Sequence, residues 1–169
     1  MTAGGGPERL EGVWTIVPTP FTADGALDDA SLPRLTRFVA GCGVDGMTIL
    51  GVLGEAGRLG DVERRTVIDG ILGAADGLPV CVGVSHAGTD RAVAFAREAE
   101  AAGAHSVMLA PPALARPNDA ALLAHYAAVA DAIAIPVVVQ DHPASSGVHM
   151  TVDVLAAIAE RSPSCRVVK

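Results

Sequence analysis

Six short apolar runs recur along the chain at a nearly constant interval, and this repeat constrains the fold more than any other feature. Their starts lie about 30 residues apart. Each run is rich in residues that favour strands, and a polar loop and a helix-like segment follow it. The runs are Val13–Val17, Met47–Leu50, Pro79–Val84, Ser106–Ala110, Pro136–Gln140 and Cys165–Val168. The repeat predicts six strand–loop–helix units.

The predicted strands are continuously apolar, as in Pro136–Val139, rather than alternating between apolar and polar residues. Strands of this kind are buried on both faces, which is typical of a parallel sheet covered by helices. The fold class is therefore α/β. Six such units fit the first six units of a (β/α)8 TIM barrel or a doubly wound, flavodoxin-like sheet, and the repeat does not choose between them. Both folds place their sites in the loops that follow the strands.

Composition excludes several classes of partner. The chain has 169 residues, a net charge of −7, 50% hydrophobic residues and only 3% aromatic residues. It has neither a basic stripe nor stacking aromatics, which argues against a nucleic acid or an anionic membrane as partner. No apolar window is long enough to span a membrane, and no secretory signal precedes the first strand. We therefore predict a cytoplasmic protein.

Several polar residues receive structural interpretations. The three cysteines follow no zinc-binding pattern, so they are expected in the core of a protein in a reducing compartment. The charged run after residue 60 is expected to be the solvated first turn of a helix. It consists of Asp61, Glu63, Arg64 and Arg65. The histidines His105, His125 and His149 lack partners at metal-ligand spacing and are expected at the surface or at an interface.

One lysine stands apart from the other basic residues. Lys169 follows the sixth predicted strand, and the remaining 11 basic residues are all arginines. A partly desolvated lysine amine attacks carbonyl groups and forms imines, which the guanidinium of arginine cannot do. Lys169 is either an imine-forming nucleophile or a chance surface lysine, and its position alone leaves both open.

A set of ordered motifs extends over nearly the whole chain and resembles the dihydrodipicolinate synthase / N-acetylneuraminate lyase family. The motifs are Gly12–Phe21, Gly43–Gly46, Gly51–Glu55, Leu59 with Glu63 and Arg64, Gly103–Ala104, Pro111–Pro112, Pro136 and Val167–Lys169. The resemblance implies a (β/α)8 TIM barrel with a Schiff-base lysine at the end of the sixth strand, which matches Lys169. It also implies a homotetramer built from dimers, so we expect a homo-oligomer, either tetramer or dimer.

The chain departs from the family pattern where that family carries hydroxyl groups. The family's G-T-T-G-E motif reads Gly51–Glu55 here, with Val52 and Leu53 in place of both threonines. The Y-N-x-P motif after the fifth strand reads Gln140–Pro143, and the P-Y-Y motif reads Pro112–Leu114. The family's tyrosine relay is therefore absent, and the only tyrosine, Tyr126, falls in a predicted helix.

Replacement groups follow the fifth strand. Strand alternation is expected to aim Gln140 and His142 to similar sides, so Gln140 is predicted as an orienting amide and His142 as an acid/base. For His142, a loop histidine bonded to backbone is the equal alternative. Substrate contacts are predicted for Gly51, Val52, Leu53, Asp141 and Ser145, the last at the position of the family's carboxylate-binding arginine.

The sequence thus predicts a class I lyase that acts on pyruvate or a related 2-keto acid through an imine on Lys169. No metal or organic cofactor is expected, because the imine itself acts as the electron sink. The alternative is a non-catalytic small-molecule-binding or regulatory barrel of the same family. Eight units take about 250 residues, so residues 12–169 are expected to form six units of an incomplete barrel after a flexible leader, residues 1–11.

Overall fold

The computed structural model describes residues 10–113 and 118–169. Most of the predicted leader, and Leu114 of the motif that replaces P-Y-Y, lie outside these ranges. The described chain forms one six-stranded sheet in which all neighbouring strands are parallel. Its strands are β1 (Trp14–Ile16), β2 (Gly46–Ile49), β3 (Val80–Gly83), β4 (Ser106–Leu109), β5 (Val137–Val139) and β6 (Val167–Val168).

The order of the strands decides between the two predicted architectures. The sheet runs β1-β2-β3-β4-β5-β6, so every strand lies next to its neighbour in sequence. A doubly wound sheet reverses its strand order at a switch point, whereas a barrel does not. The flavodoxin-like alternative is therefore wrong, and the six units form an arc of a TIM barrel.

Helices connect the strands and cover one face of the sheet. They are α1 (Leu32–Gly41), α2 (Asp61–Leu72), α3 (Thr89–Ala101), α4 (Asp119–Ala130), the short α5 (Pro143–Ser146) and α6 (Val152–Arg161). Two helices begin at side-chain caps: Asn118 accepts a hydrogen bond from the backbone of α4, and Thr151 accepts one from the backbone of α6. In the described part of the chain, none of these helices has the length and apolarity needed to cross a bilayer.

The two faces of the sheet carry different packing. The outer face and the helices share one large apolar core, which includes Val82, Val107 and Val139. On the inner face, Cys81, Met108 and Val138 form a smaller cluster. Because side chains alternate along a strand, residues two positions apart share a face. The inner face is therefore the wall of the barrel lumen, and it leads at its carboxyl edge to the loops where a site is expected.

Three structural interpretations from the sequence are wrong. Arg64 is not solvated, since only 6% of it is exposed between α2 and the sheet. His125 is 2% exposed, its ring nitrogen Nδ1 lies 2.9 Å from the Thr89 hydroxyl, and burial lowers its pKa. Cys42 is exposed, whereas Cys81 and Cys165 are buried as predicted. For Arg64, the sequence alone could not show which side of α2 faces the sheet, because charged residues surround it in the first helical turn.

Candidate active site

Lys169 and Gln140 are paired across the carboxyl edge of the sheet. The Lys169 N–H donates to the Val139 carbonyl at 2.9 Å, and the Asp141 N–H donates to the Lys169 carbonyl at 2.8 Å. In a parallel ladder these two bonds bracket Gln140 as the register partner of Lys169. Register partners point to the same face, about 5 Å apart. The structure thus brings together the predicted nucleophile and the predicted orienting amide.

Two cavities lie beside this pair. The first, which we call the edge cavity, has a volume of about 500 Å³ and is open at the carboxyl edge of the strands. It is lined by Leu50, Gly51, Val52, Glu55, Ala56, Gly57, Arg58, Ser85, Ala110, Pro111, Gln140, Ser145 and Ser146. Of the predicted substrate contacts, Gly51, Val52 and Ser145 therefore reach one cavity together with Gln140.

The second, the lumen cavity, has a volume of about 290 Å³ and is lined by Lys169 and by inner-face residues. Among these, Thr48, Cys81 and Ser106 are register partners on three neighbouring strands. Burial raises the pKa of the Cys81 thiol to about 11, while Ser106, the positive charge of Lys169 and Thr48 act in the opposite direction. Lys169 lines this lumen cavity and is absent from the described lining of the edge cavity, which its register partner Gln140 reaches.

The loop after β2 forms one wall of the edge cavity, and backbone contacts hold its shape. Leu50 is 3% exposed and has a φ of 55°, which is unusual for a residue with a side chain. The loop closes on itself, because a Cβ at Gly54 would lie 3.0 Å from the Leu50 nitrogen. From the β1 side, the Thr19 hydroxyl donates to the Gly54 carbonyl at 2.6 Å. Strained backbone of this kind is common at functional sites.

The β3 side holds the same loop through Gly83. A Cβ at this position would lie 2.1 Å from the Leu50 carbonyl oxygen, so only glycine allows the two backbones to approach this closely. The Gly83 carbonyl in turn accepts a hydrogen bond of 2.9 Å from the buried Arg64 side chain. Thr19, Gly83 and Arg64 were not predicted as site residues, although Thr19 and Arg64 stand within the motifs that carry the family resemblance.

The segment after β5 does not continue the strand alternation. β5 ends at Val139, and His142 is the N-cap residue of α5. His142 is exposed and does not line the edge cavity as the described residues define it, so the expectation that it shares a side with Gln140 is wrong. Its ring nitrogen Nδ1 instead lies 2.8 Å from the hydroxyl of Ser145, which does line that cavity.

Two further predicted contacts occupy less direct positions. Asp141 is half-buried, and its Oδ1 atom is buried without a hydrogen-bond partner among the residues that the structure describes. Leu53 is 58% exposed and, unlike Val52, is absent from the described lining of the edge cavity. Glu55, which also lines that cavity, has a φ of 52° and pairs with Arg58 at 2.8 Å, so its side chain braces the loop.

The only tyrosine of the sequence lines neither cavity as the described residues define them. Tyr126 is fully buried in α4, and its hydroxyl donates to the Leu109 carbonyl at 3.2 Å. Burial raises its pKa well above the ordinary value. No group of three or more metal-ligating side chains is present within residues 10–113 and 118–169.

Comparison with known proteins agrees with this architecture. The model of the dihydrodipicolinate synthetase family matches residues 9–169. The 4-hydroxy-tetrahydrodipicolinate synthase of Acidothermus cellulolyticus is 36% identical over 161 residues, which are 95% of this chain and 52% of that protein. The chain spans about half the length of the curated relatives it matches.

Solved structures give the same result. A dihydrodipicolinate synthase from Rhodopseudomonas palustris superposes with a TM-score of 0.85 and 39% identity, over 94% of this chain and 53% of that one. A prophage protein of the same family from E. coli K12, solved in complex with pyruvate, gives a TM-score of 0.89 and 28% identity, over 95% and 55%. The family model covers residues 9–169, which include all six strands and the residues that line both cavities, and the chain therefore belongs to the dihydrodipicolinate synthetase family.

Proposed function

We propose that this protein is a class I lyase that forms an imine between Lys169 and pyruvate or a related 2-keto acid. The observation that carries the proposal is the pairing of Lys169 with Gln140 at the carboxyl edge of the strands, next to the edge cavity. In TIM-barrel enzymes the active site lies at this edge. A pyruvate complex of a structural neighbour from the same family supports the choice of substrate class.

The proposed reaction begins when the neutral Lys169 amine attacks the keto carbon. A carbinolamine forms and loses water, and the protonated imine then withdraws electrons from the bond that is cleaved or made at the neighbouring carbon. Gln140 hydrogen-bonds and orients the substrate. Gly51 and Val52 line this cavity, and their backbone N–H groups are the donors we assign to the substrate carboxylate.

Borohydride trapping tests the imine directly. We expect that protein from the whole reading frame, incubated with pyruvate or longer 2-keto acids and then reduced, gains the mass of the reduced adduct on the peptide that contains Lys169. Residues 1–169 hold no other lysine, so the position is unambiguous within this segment. The Lys169→Arg variant is expected to give no adduct. A folded wild-type protein that gives none with any 2-keto acid would contradict the proposal.

His142 is proposed to act as the acid/base through the hydroxyl of Ser145, which links the exposed imidazole to the edge cavity. We expect His142→Gln to lower kcat by about 10²-fold, the lower end of the range for losing a general acid or base, with little change in KM. Ser145→Ala should give a similar loss if protons pass through the hydroxyl. Steady-state kinetics check both variants, and His149→Gln, at another exposed histidine, is the matched control.

A non-catalytic binding barrel is the second candidate. The observation that favours it is the apolar character of the loop after β2, where Val52 is 61% exposed beside the cavity. In that case the edge cavity would bind a small molecule, and Lys169 would form no covalent adduct. A homo-oligomer, tetramer or dimer, remains a prediction for either candidate.

A further inference from the structure

Arg64 is a buried cation that the proposed chemistry does not use. It lies on α2, outside the lining of both cavities, with 6% of its surface exposed. Its guanidinium stacks on the Phe95 ring at 4.0 Å, and Nη2 donates to the Gly83 carbonyl at 2.9 Å. Its Nε atom has no hydrogen-bond partner in the described part of the chain.

Stability alone gives a poor account of an arginine at this position. Burial lowers the pKa of Arg64, and the carboxylates of Asp61 and Glu98 oppose this only through longer-range attraction. A buried charge without a carboxylate at contact distance is unfavourable, and a well-packed apolar side chain of similar size is often as stable or more stable. The feature that an apolar side chain could not reproduce is the hydrogen bond to Gly83.

That hydrogen bond is made to Gly83, the residue against which the loop after β2 packs. The Gly83 backbone packs directly on the Leu50 carbonyl, closer than any side chain would allow. Leu50 holds a positive φ and is followed by Gly51 and Val52, which line the edge cavity. A displacement of the Gly83 carbonyl therefore passes through backbone contacts to the cavity wall, with no flexible side chain between them.

We propose that Arg64 is a positioning residue for the site. By fixing the Gly83 carbonyl from the helix side, it holds the Leu50 carbonyl and, through it, the cavity wall formed by Gly51 and Val52. Thr19 holds the other end of the same loop at Gly54. The effect on the loop is independent of the reaction, while the effect on catalysis rests on the proposed function.

Hydrogen exchange of the ligand-free protein, expressed from its whole reading frame, tests the effect on the loop. We expect Arg64→Met to speed exchange of the amides at residues 50–54 by about tenfold or more, the effect of losing a hydrogen bond to a charged group. Arg91→Met is the matched control. Arg91 lies 4.5 Å from the same Phe95 ring and pairs with Asp61, but it has no bond to Gly83 in the described structure. It should change exchange in this segment less than twofold.

The conservative variant Arg64→Lys distinguishes a role of Arg64 in positioning the loop from a general role in the stability of the fold. Arg64→Lys keeps a long donor and should restore exchange to within about threefold of the wild type, whereas Arg64→Gln is too short to reach Gly83 and should behave like Arg64→Met. The Gln variant also serves if the Met variant does not fold. Equal exchange in Arg64→Met, Arg64→Gln and the wild type would overturn the proposal, as would an equal effect of Arg91→Met.

Kinetics provide the second readout. We expect Arg64→Met to raise KM for the 2-keto acid about tenfold with kcat within threefold, because a loosened wall weakens binding in the ground and transition states alike. The Lys169 adduct should still form at saturating keto acid. If the wild type forms no adduct, the proposed function fails while hydrogen exchange still decides on the positioning role. Unchanged KM in an active enzyme would refute the catalytic part.

Discussion

Replacing Lys169 with arginine is expected to lower turnover of the 2-keto acid by about 10⁵-fold or more. Arginine keeps the positive charge and most of the length of the side chain, but its guanidinium does not lose its proton at usable pH and cannot attack a carbonyl. Because the backbone of Lys169 pairs with Val139 and Asp141 through its N–H and carbonyl groups, the substitution leaves the edge of the sheet intact. Turnover and borohydride trapping measure the loss, and circular dichroism checks the fold.

A relocated lysine makes this test stricter. Arg166 is exposed three residues before Lys169, so the double variant Arg166→Lys, Lys169→Arg keeps the composition of the chain and moves its only lysine away from the partner of Gln140. We expect no turnover and no adduct at position 166. Activity in either variant near the wild-type level would show that Lys169 is not the nucleophile and would favour the binding barrel.

Substituting Gly83 with alanine is expected to destabilise the protein by about 3 kcal/mol, near the upper end for an overpacked position. The new Cβ would meet the Leu50 carbonyl oxygen at 2.1 Å and its carbon at 2.6 Å. Both are backbone atoms, and Leu50 already holds a φ of 55°, so the clash cannot be relieved by rotating a side chain. The free energy of unfolding, measured by urea denaturation at constant m-value, reports the loss.

A glycine in open space provides the comparison. Gly41 ends α1, and a Cβ at this position would meet no atom within 4 Å beyond the backbone of its own helix. Gly41→Ala should therefore be neutral or stabilise the protein by about 0.5 kcal/mol. If Gly83→Ala unfolds at the same urea concentration as Gly41→Ala, the close approach of β3 to the loop after β2 is not as the structure has it.

The strands could be predicted from the sequence because a strand that is buried on both faces is apolar at nearly every position. Every observed strand lies within or overlaps one of the six predicted apolar runs, for example β5 (Val137–Val139) within Pro136–Gln140. The order of the strands could not be predicted in this way. A repeat of strand and helix specifies that strands are parallel, but the direction in which each helix crosses the sheet is decided by tertiary packing.

The site was predictable where chemistry requires a rare residue and not where it depends on backbone geometry. Lys169 stands out because no other lysine occurs in the sequence, and register then brings Gln140 beside it. His142 was placed wrongly because alternation was extended beyond the end of β5. Arg64 was placed wrongly because a charged residue in a helical first turn has the same local pattern whether it faces solvent or a carbonyl of the sheet.

The shape and the reactivity of the loop after β2 are encoded at different positions. Its path is set by Leu50, Gly54, Thr19 and Gly83, which act through backbone atoms and one hydroxyl. The Val52 side chain is largely exposed beside the cavity, and the residue contributes to that path through its backbone carbonyl, which accepts from the Glu55 N–H at 3.1 Å. The side chain at position 52 can therefore be exchanged while the backbone of the loop keeps its path. Substitutions at this position can change which substrate the barrel prefers without a large loss of stability.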